Sequence, residues 1–185
     1  MFSVRGQVNP RREDKEKKQM QKVLLMLLLF SACLSSCTKN TGVTSPAAVK
    51  AQAIIDDNIV AQYLKANGLT DTAHRIDTTG VYYMVNTAGS ANSLYNSSTS
   101  VTVGFTGTLL TTGYVFEQTD TIHPSYVLGQ VIRGWQLGIP KVGQGGTVTL
   151  YLPSRYAYGP FAQPNTGLPA NAVLIFNITV YAVTN

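Results

Sequence analysis

Apolar residues at every second position dominate the second half of this 185-residue chain, and they constrain its fold more than any other feature. A period of two places alternate side chains on opposite faces of a β-strand, so that one face is apolar and the other is polar. The pattern is carried by Val81, Tyr83 and Val85; by Val101, Val103 and Phe105; by Val148, Leu150 and Leu152; and by Leu174, Phe176, Ile178 and Val180. We therefore predict four or five half-buried strands beginning near residue 79.

One long and one short helix are predicted beside these strands. Ser45-Pro46 is typical of a helix start and Asn67-Gly68 of a helix end. Between them, apolar residues recur at helical spacing, which predicts a helix over residues 46–66; its apolar stripe consists of Ile55, Ile59, Val60, Tyr63 and Leu64. A short helix within residues 130–138 can cover the apolar face of the sheet. The predicted fold class is α+β, a curled antiparallel β-sheet wrapped on a short α-helix and preceded by one N-terminal helix.

The positive charge of the chain is concentrated at its start. The formal net charge is +5, but residues 1–37 hold seven Lys and Arg against three Asp and Glu, which leaves +1 for residues 38–185. A nearly neutral body gives no electrostatic basis for nucleic-acid binding, so we expect no nucleic-acid partner.

The first 37 residues are typical of an export signal. Basic residues through Lys22 precede the apolar run 23–30, which is too short to cross a bilayer core of roughly 30 Å. The segment Leu34-Ser-Ser-Cys37 resembles the bacterial lipobox, in which the cysteine carries a diacylglycerol. An ordinary signal peptide is the alternative, and Met20 is a second candidate for the true start.

These features divide the chain into three parts. We predict a lipoprotein signal peptide with an N-terminal extension over residues 1–37, a tether with the N-terminal helix over 38–78, and a folded domain over 79–185. Cys33 and Cys37 are the only cysteines, so a disulfide in the body is excluded. Lipidation of Cys37 would anchor the protein to a membrane, and Thr38-Lys39, which lacks an Asp, favours the outer membrane of a bacterial cell envelope.

Residues suited to acid–base, nucleophilic or metal chemistry are scarce in the predicted domain. His74 and His123 have neither nucleophiles nor metal-ligand spacing around them, and Gly143–Gly146 lacks the lysine of a phosphate loop and is expected to form a hairpin turn. We expect no metal and no cofactor. The conspicuous residues are instead apolar or aromatic, and they line either a core or a pocket: Phe105, Phe116, Val131, Ile132, Trp135, Tyr158, Leu168 and Phe176.

The order and spacing of these residues resemble the FKBP-type peptidyl-prolyl isomerases, over about residues 79–184. The matching elements are Val103–Gly107, Gly113–Glu117, Leu128–Trp135, Gly138, Gly143, Leu152–Ser154, Tyr156–Gly159 and Leu168–Phe176. The resemblance implies a site that binds a proline ring and rotates the preceding amide. It also implies proline-containing polypeptides as substrates, with unfolded exported proteins as clients, and macrolides as inhibitors.

The resemblance also assigns roles to individual residues. It implies a substrate-binding floor at Trp135, ligand-binding backbone at Val131 and Ile132, and an apolar flap residue at Leu168. It implies catalytic roles at Phe105, Phe116, Glu117, Tyr158 and Phe176, where Tyr158 donates to a ligand carbonyl and the three phenylalanines form walls.

Two departures from the family pattern bear on catalysis. The family's Tyr and Asp pair is replaced by Phe105 and Glu117, so the hydrogen bond of that pair is lost. Pro124-Ser125 stands where the family has a second aromatic wall, with Tyr126 two residues on, so we expect a pocket that is more open on this side, with Phe161 as a partial replacement. A catalytically weak proline-binding or chaperone module is therefore the alternative function, and an unrelated lipid-anchored, β-rich binding protein is a more distant one.

Overall fold

A computed structural model describes residues 45–91 and 93–185. The predicted signal peptide, most of the tether and the lipidation site at Cys37 lie outside the described residues. Among the residues described, no helix combines the length and apolarity needed to cross a membrane.

Seven strands and two α-helices form the described part of the chain. In chain order they are α1 (Pro46–Ala66), β1 (His74–Arg75), β2 (Tyr82–Thr87), β3 (Ser100–Leu109), β4 (Val115–Gln118), β5 (Ser125–Val127), α2 (Arg133–Gly138), β6 (Thr147–Leu152) and β7 (Leu174–Thr184). Short 3-10 turns lie at Leu128–Gln130, Ile139–Lys141, Ser154–Tyr156 and Pro164–Thr166.

All strand pairs are antiparallel and belong to one sheet in the order β1-β2-β6-β7-β3-β4, with β5 paired to β3. Strand β3 follows the predicted alternation and changes strictly between buried and half-buried positions. The prediction of half-buried strands is wrong for β6, which is buried at every position after Thr147 because α1 covers one face and α2 the other. The predicted α+β fold class is confirmed. The number of strands exceeds the prediction because β1, β4 and β5 have only two to four residues, too few for a period to show.

The short helix α2 covers one face of the sheet at very close range. A Cβ atom added to Gly134 would lie 2.5 Å from the Leu152 side chain, and one added to Gly138 would overlap Leu150. Because glycine alone permits this approach, α2 can bring Trp135 and the following Ile139 deep into the core, where they are 5% and 0% exposed. The core on this face joins them to apolar residues of β3, β6 and β7.

The helix α1 lies on the opposite face of the sheet. It begins and ends as predicted, with the Ser45 Oγ accepting a hydrogen bond from the Ala48 amide at 3.2 Å. Val60 and Leu64 are buried with Tyr151 and other residues that alternate with those facing α2. The prediction of Ile55 in the buried stripe is wrong, because its side chain is 51% exposed. Asp56 takes the buried position instead and is fully enclosed.

The segment Gly143–Gly146 forms a turn, in which the Gly146 amide donates to the Gly143 carbonyl at 2.9 Å, but the turn does not connect two strands of a hairpin as predicted. It connects the 3-10 turn Ile139–Lys141 to β6 and packs against the segment after β2. The Gly143 amide donates to the Ala88 carbonyl at 2.8 Å, and an added Cβ at this glycine would overlap the carbonyl oxygen of Ser90. The glycines therefore serve the close approach of two backbones.

Candidate active site

A cavity of about 290 Å³ lies in front of α2, on the α2 side of the sheet. Its walls come from β3, β4, β5, β7, α2 and two connecting segments. The lining residues are Phe105, Glu117, Tyr126, Gln130, Val131, Ile132, Trp135, Tyr158 and Phe176. Seven of the nine pocket residues predicted from the sequence are in this set, so residues far apart in the chain meet around one space.

Aromatic rings packed edge to face form the base of the cavity. The ring of Trp135 lies 4.9 Å from Phe105, 5.3 Å from Phe176 and 5.8 Å from Tyr126, measured between centroids. Their interplanar angles lie between 79° and 88°, the geometry favoured by the ring quadrupoles. The rings of the apolar floor are therefore packed against one another without any ligand.

Tyr126 supplies a wall that the sequence analysis left open. It lies on β5 opposite Val101, and this register turns its ring onto Trp135. The expectation of an open side is therefore wrong. Phe161, offered as a replacement, is 64% exposed and does not line the cavity. A three-residue strand carries too little pattern to identify Tyr126, and nothing in the sequence singled out Gln130.

The structure does not bring Phe116 and Leu168 to the cavity. Phe116 packs edge-on against Phe176 at 5.6 Å and is 9% exposed. Leu168 is 2% exposed within the same core, and its backbone pairs with Gln163. Both therefore stand behind the lining residues, where they can support the wall without meeting a ligand in this geometry.

The hydroxyl of Tyr158 is a polar group that can form a hydrogen bond with a peptide bound in the cavity. Burial raises the pKa of its hydroxyl above the ordinary 10.0, and the charges of Glu117 and Tyr126 raise it further. The hydroxyl is therefore protonated at neutral pH and can donate a hydrogen bond. On the opposite side, the Gln136 amide donates to the Val131 carbonyl at 2.8 Å and holds the backbone that leads into α2.

Glu117 lies at the mouth of the cavity. It is exposed, and it is the one carboxylate among the lining residues. Phe105, which faces the same space, has no hydroxyl and is 6% exposed against Trp135. The charge of this carboxylate helps to raise the pKa of Tyr158 and of Tyr126, after the larger effect of burial.

Comparison with known proteins decides the family. The profile described as "FKBP-type peptidyl-prolyl cis-trans isomerase" matches residues 92–181. FK506-binding protein 1 of Candida glabrata is 41% identical over 87 residues, which cover 45% of this chain and 75% of that protein. The chain belongs to the FKBP-type peptidyl-prolyl cis-trans isomerases.

Bacterial FKBP-type isomerases are similar over a longer stretch. FkpA of Aeromonas hydrophila is 33% identical over 124 residues, which cover 66% of this chain and 44% of that protein. The crystal structure of FkpA from Escherichia coli superposes with a TM-score of 0.61 at 25% identity, covering 92% of this chain and 73% of that one.

The predicted activity is confirmed: the chain is an FKBP-type isomerase and catalyses cis–trans rotation about X–Pro bonds. Rotation of an X–Pro amide is slow because it breaks amide resonance, with a barrier of roughly 18–20 kcal/mol. No bond between heavy atoms forms or breaks. This explains why an FKBP-type isomerase can use a cavity lined mainly by aromatic and apolar side chains.

Proposed function

We propose that the cavity in front of Trp135 is the site at which this isomerase binds and twists peptidyl-prolines. The observation that carries the proposal is the convergence of seven predicted residues on one aromatic cavity. The roles of the individual side chains follow from their positions. Trp135 forms the floor under the proline ring, and Phe105, Tyr126 and Phe176 form its sides.

The apolar lining favours the twisted amide over the planar one. A planar amide has a large charge separation, which water stabilises and an aromatic cavity does not. Twisting reduces that charge separation. The transition state therefore loses less solvation free energy than the ground state when water is excluded. An environment that binds the twisted form better than the planar form lowers the barrier.

The Tyr158 hydroxyl and the backbone at Val131 and Ile132 hold the peptide on either side of this ring. Tyr158 is protonated and donates to a carbonyl next to the proline. Val131 and Ile132 line the cavity where the chain enters α2, and Gln136 braces their backbone. Two points of attachment let the enzyme fix the flanking chain while the amide between them turns.

Acceleration of cis-to-trans conversion in a short X–Pro peptide tests this site. Tyr158→Phe is expected to lower kcat/KM about fivefold, the value of one neutral hydrogen bond. Tyr156→Phe is the matched control, because Tyr156 is two residues away and does not line the cavity; it should retain full activity. Equal activity in both variants would place the hydrogen bond elsewhere. A wild-type protein that binds the peptide without accelerating it would favour the alternative of a weakly catalytic binding or chaperone module.

We further propose that the protein is an exported lipoprotein of a bacterial cell envelope, anchored through Cys37. The support is the basic and apolar leader followed by Leu34-Ser-Ser-Cys37, and Thr38-Lys39 favours the outer membrane. Its clients would be unfolded exported proteins that contain proline. Because a relative is named for binding FK506, the macrolide should compete with peptides for the same cavity.

Metabolic labelling with a fatty-acid analogue tests the anchor. Cys37→Ser should abolish labelling in bacterial cells, because the diacylglycerol is attached to that thiol. Cys33→Ser is the matched control and should leave labelling intact. Labelling that persists in Cys37→Ser and disappears in Cys33→Ser would assign the anchor to the other cysteine.

A further inference from the structure

Asp56 of α1 is a carboxylate without any exposed surface, far from the cavity in sequence and on the other face of the sheet. Its Oδ2 accepts hydrogen bonds from the Ser154 amide at 2.9 Å and from the Ser154 hydroxyl at 2.6 Å. Its Oδ1 accepts from the Gln52 amide at 2.7 Å. Burial of a carboxylate is costly unless hydrogen bonds replace its water, so these three bonds define one geometry for the pair.

Asp57 and Arg155, which follow Asp56 and Ser154 in the chain, form a second connection between the same two elements. Arg155 donates to the Asp57 carboxylate at 2.7 Å and to the Thr79 carbonyl at 2.6 Å. Gly80, at a φ of +80°, makes room for the pair, since an added Cβ would overlap the Asp57 carboxylate. The helix α1, the turn before β2 and the segment after β6 therefore meet at one polar junction.

The residue that Asp56 binds also organises the backbone around Tyr158. The Ser154 carbonyl accepts hydrogen bonds from the Ala157 amide at 2.9 Å and from the Gly159 amide at 2.8 Å. These two amides stand immediately before and after Tyr158. The N–H and hydroxyl of Ser154 are thus fixed by Asp56, while its carbonyl fixes both backbone neighbours of Tyr158.

We propose that Asp56 is a positioning residue for catalysis, which holds the Tyr158 hydroxyl in place through Ser154. The helix α1 is then a part of the isomerase site, although it makes no contact with the cavity. The catalytic consequence rests on the role proposed above for Tyr158. The structural part of the proposal, a backbone held in place from Ser154 to Gly159, does not depend on that role.

The first test measures kcat/KM for a short X–Pro peptide with the full chain. Asp56→Ala should lower kcat/KM about three- to fivefold, and should have little further effect in a Tyr158→Phe background. Val60→Ala is the matched control, because Val60 is buried on the same face of α1 one turn later. It should lower the melting temperature without changing kcat/KM below the unfolding transition. Wild-type kcat/KM in Asp56→Ala, or an undiminished loss in the double variant, would overturn the catalytic part.

The second test measures amide hydrogen exchange at Ala157 and Gly159. Both amides should exchange about tenfold faster in Asp56→Ala than in Val60→Ala when the two are compared at equal global stability. Unchanged exchange would overturn the positioning of the segment. If Tyr158→Phe retains wild-type activity while exchange rises in Asp56→Ala, the role of the hydroxyl is wrong and the positioning is right. Should Asp56→Ala fail to fold, Asp56→Asn and Ser154→Ala remove fewer bonds, and the same outcomes apply.

Discussion

A comparison of Phe176→Leu with Phe116→Leu distinguishes a residue that contacts the substrate from one that only supports the core. The two rings are neighbours, 5.6 Å apart and nearly perpendicular, and both are almost fully buried. Phe176 lines the cavity, whereas Phe116 does not. We expect both variants to lose stability, and only Phe176→Leu to lose catalytic efficiency.

The magnitudes follow from the ring packing. Phe176 packs on three rings, those of Phe105, Phe116 and Trp135, whereas Phe116 packs on one, that of Phe176. At about 0.5–1.5 kcal/mol for each aromatic pair, Phe176→Leu should cost about 2–4 kcal/mol and Phe116→Leu about 1–2 kcal/mol. At roughly 3 °C per kcal/mol, the melting temperatures should differ by several degrees. Because leucine covers less of the proline ring than phenylalanine does, kcat/KM of Phe176→Leu should fall about five- to tenfold.

The assay compares the two variants at a temperature well below both transitions. Chemical denaturation gives the free energies of unfolding, and isomerisation of one X–Pro peptide gives kcat/KM. An equal loss of kcat/KM in both variants would indicate that Phe116 also contacts the substrate. Full activity in Phe176→Leu would refute the assignment of the cavity itself.

Three further predictions concern pH, backbone packing and substrate charge. Burial raises the pKa of four tyrosines above 10.0: Tyr95, Tyr126, Tyr151 and Tyr158. The unfolded chain therefore releases these protons first as pH rises, so the contribution of these tyrosines to the free energy of unfolding should be constant well below pH 10 and fall above it; a rise of stability there would contradict the shifts. Gly143→Ala should destabilise more than Gly145→Ala in urea unfolding, because the first moves the Ser90 carbonyl while the second costs only about 1 kcal/mol of left-handed backbone strain; the reverse order would contradict the packing. Peptides with Lys before proline should be isomerised about two- to threefold faster than those with Glu at low salt, and this difference should disappear in Glu117→Gln; a difference that persists would assign the preference to another group.

Local signals in the sequence were sufficient for the elements that span many residues. The Ser45-Pro46 start and the Asn67-Gly68 end of α1 depend on the chemistry of the helix termini alone. Strands β3, β6 and β7 are long enough for alternation to identify the apolar residues that face α2. Most of the cavity lining followed from the family resemblance, since the same residue types recur there in the same order.

Features that depend on partners distant in the chain were not predictable. Asp56 has the character of a surface residue on an amphipathic helix, and Ser154, 98 residues later, supplies two of the three donors that permit its burial. Tyr126 becomes a wall because three-residue β5 pairs with β3. Phe116 is of a residue type that often lines pockets, but its position on β4 places it behind Phe176. In each case the deciding information is a tertiary contact.

The position of β7 in the sheet governs when the domain can assemble during synthesis. It follows the six other strands in the sequence, yet it lies between β6 and β3 and joins the group β1-β2-β6 to the group β3-β4-β5. Until residues from Leu174 onward are available, each group is a three-stranded sheet whose edge toward β7 is unpaired. The seven-stranded sheet can therefore be completed only after its eleven-residue central strand has been made. Until that point the two unpaired edges are exposed to pairing with other chains, which is a route to aggregation.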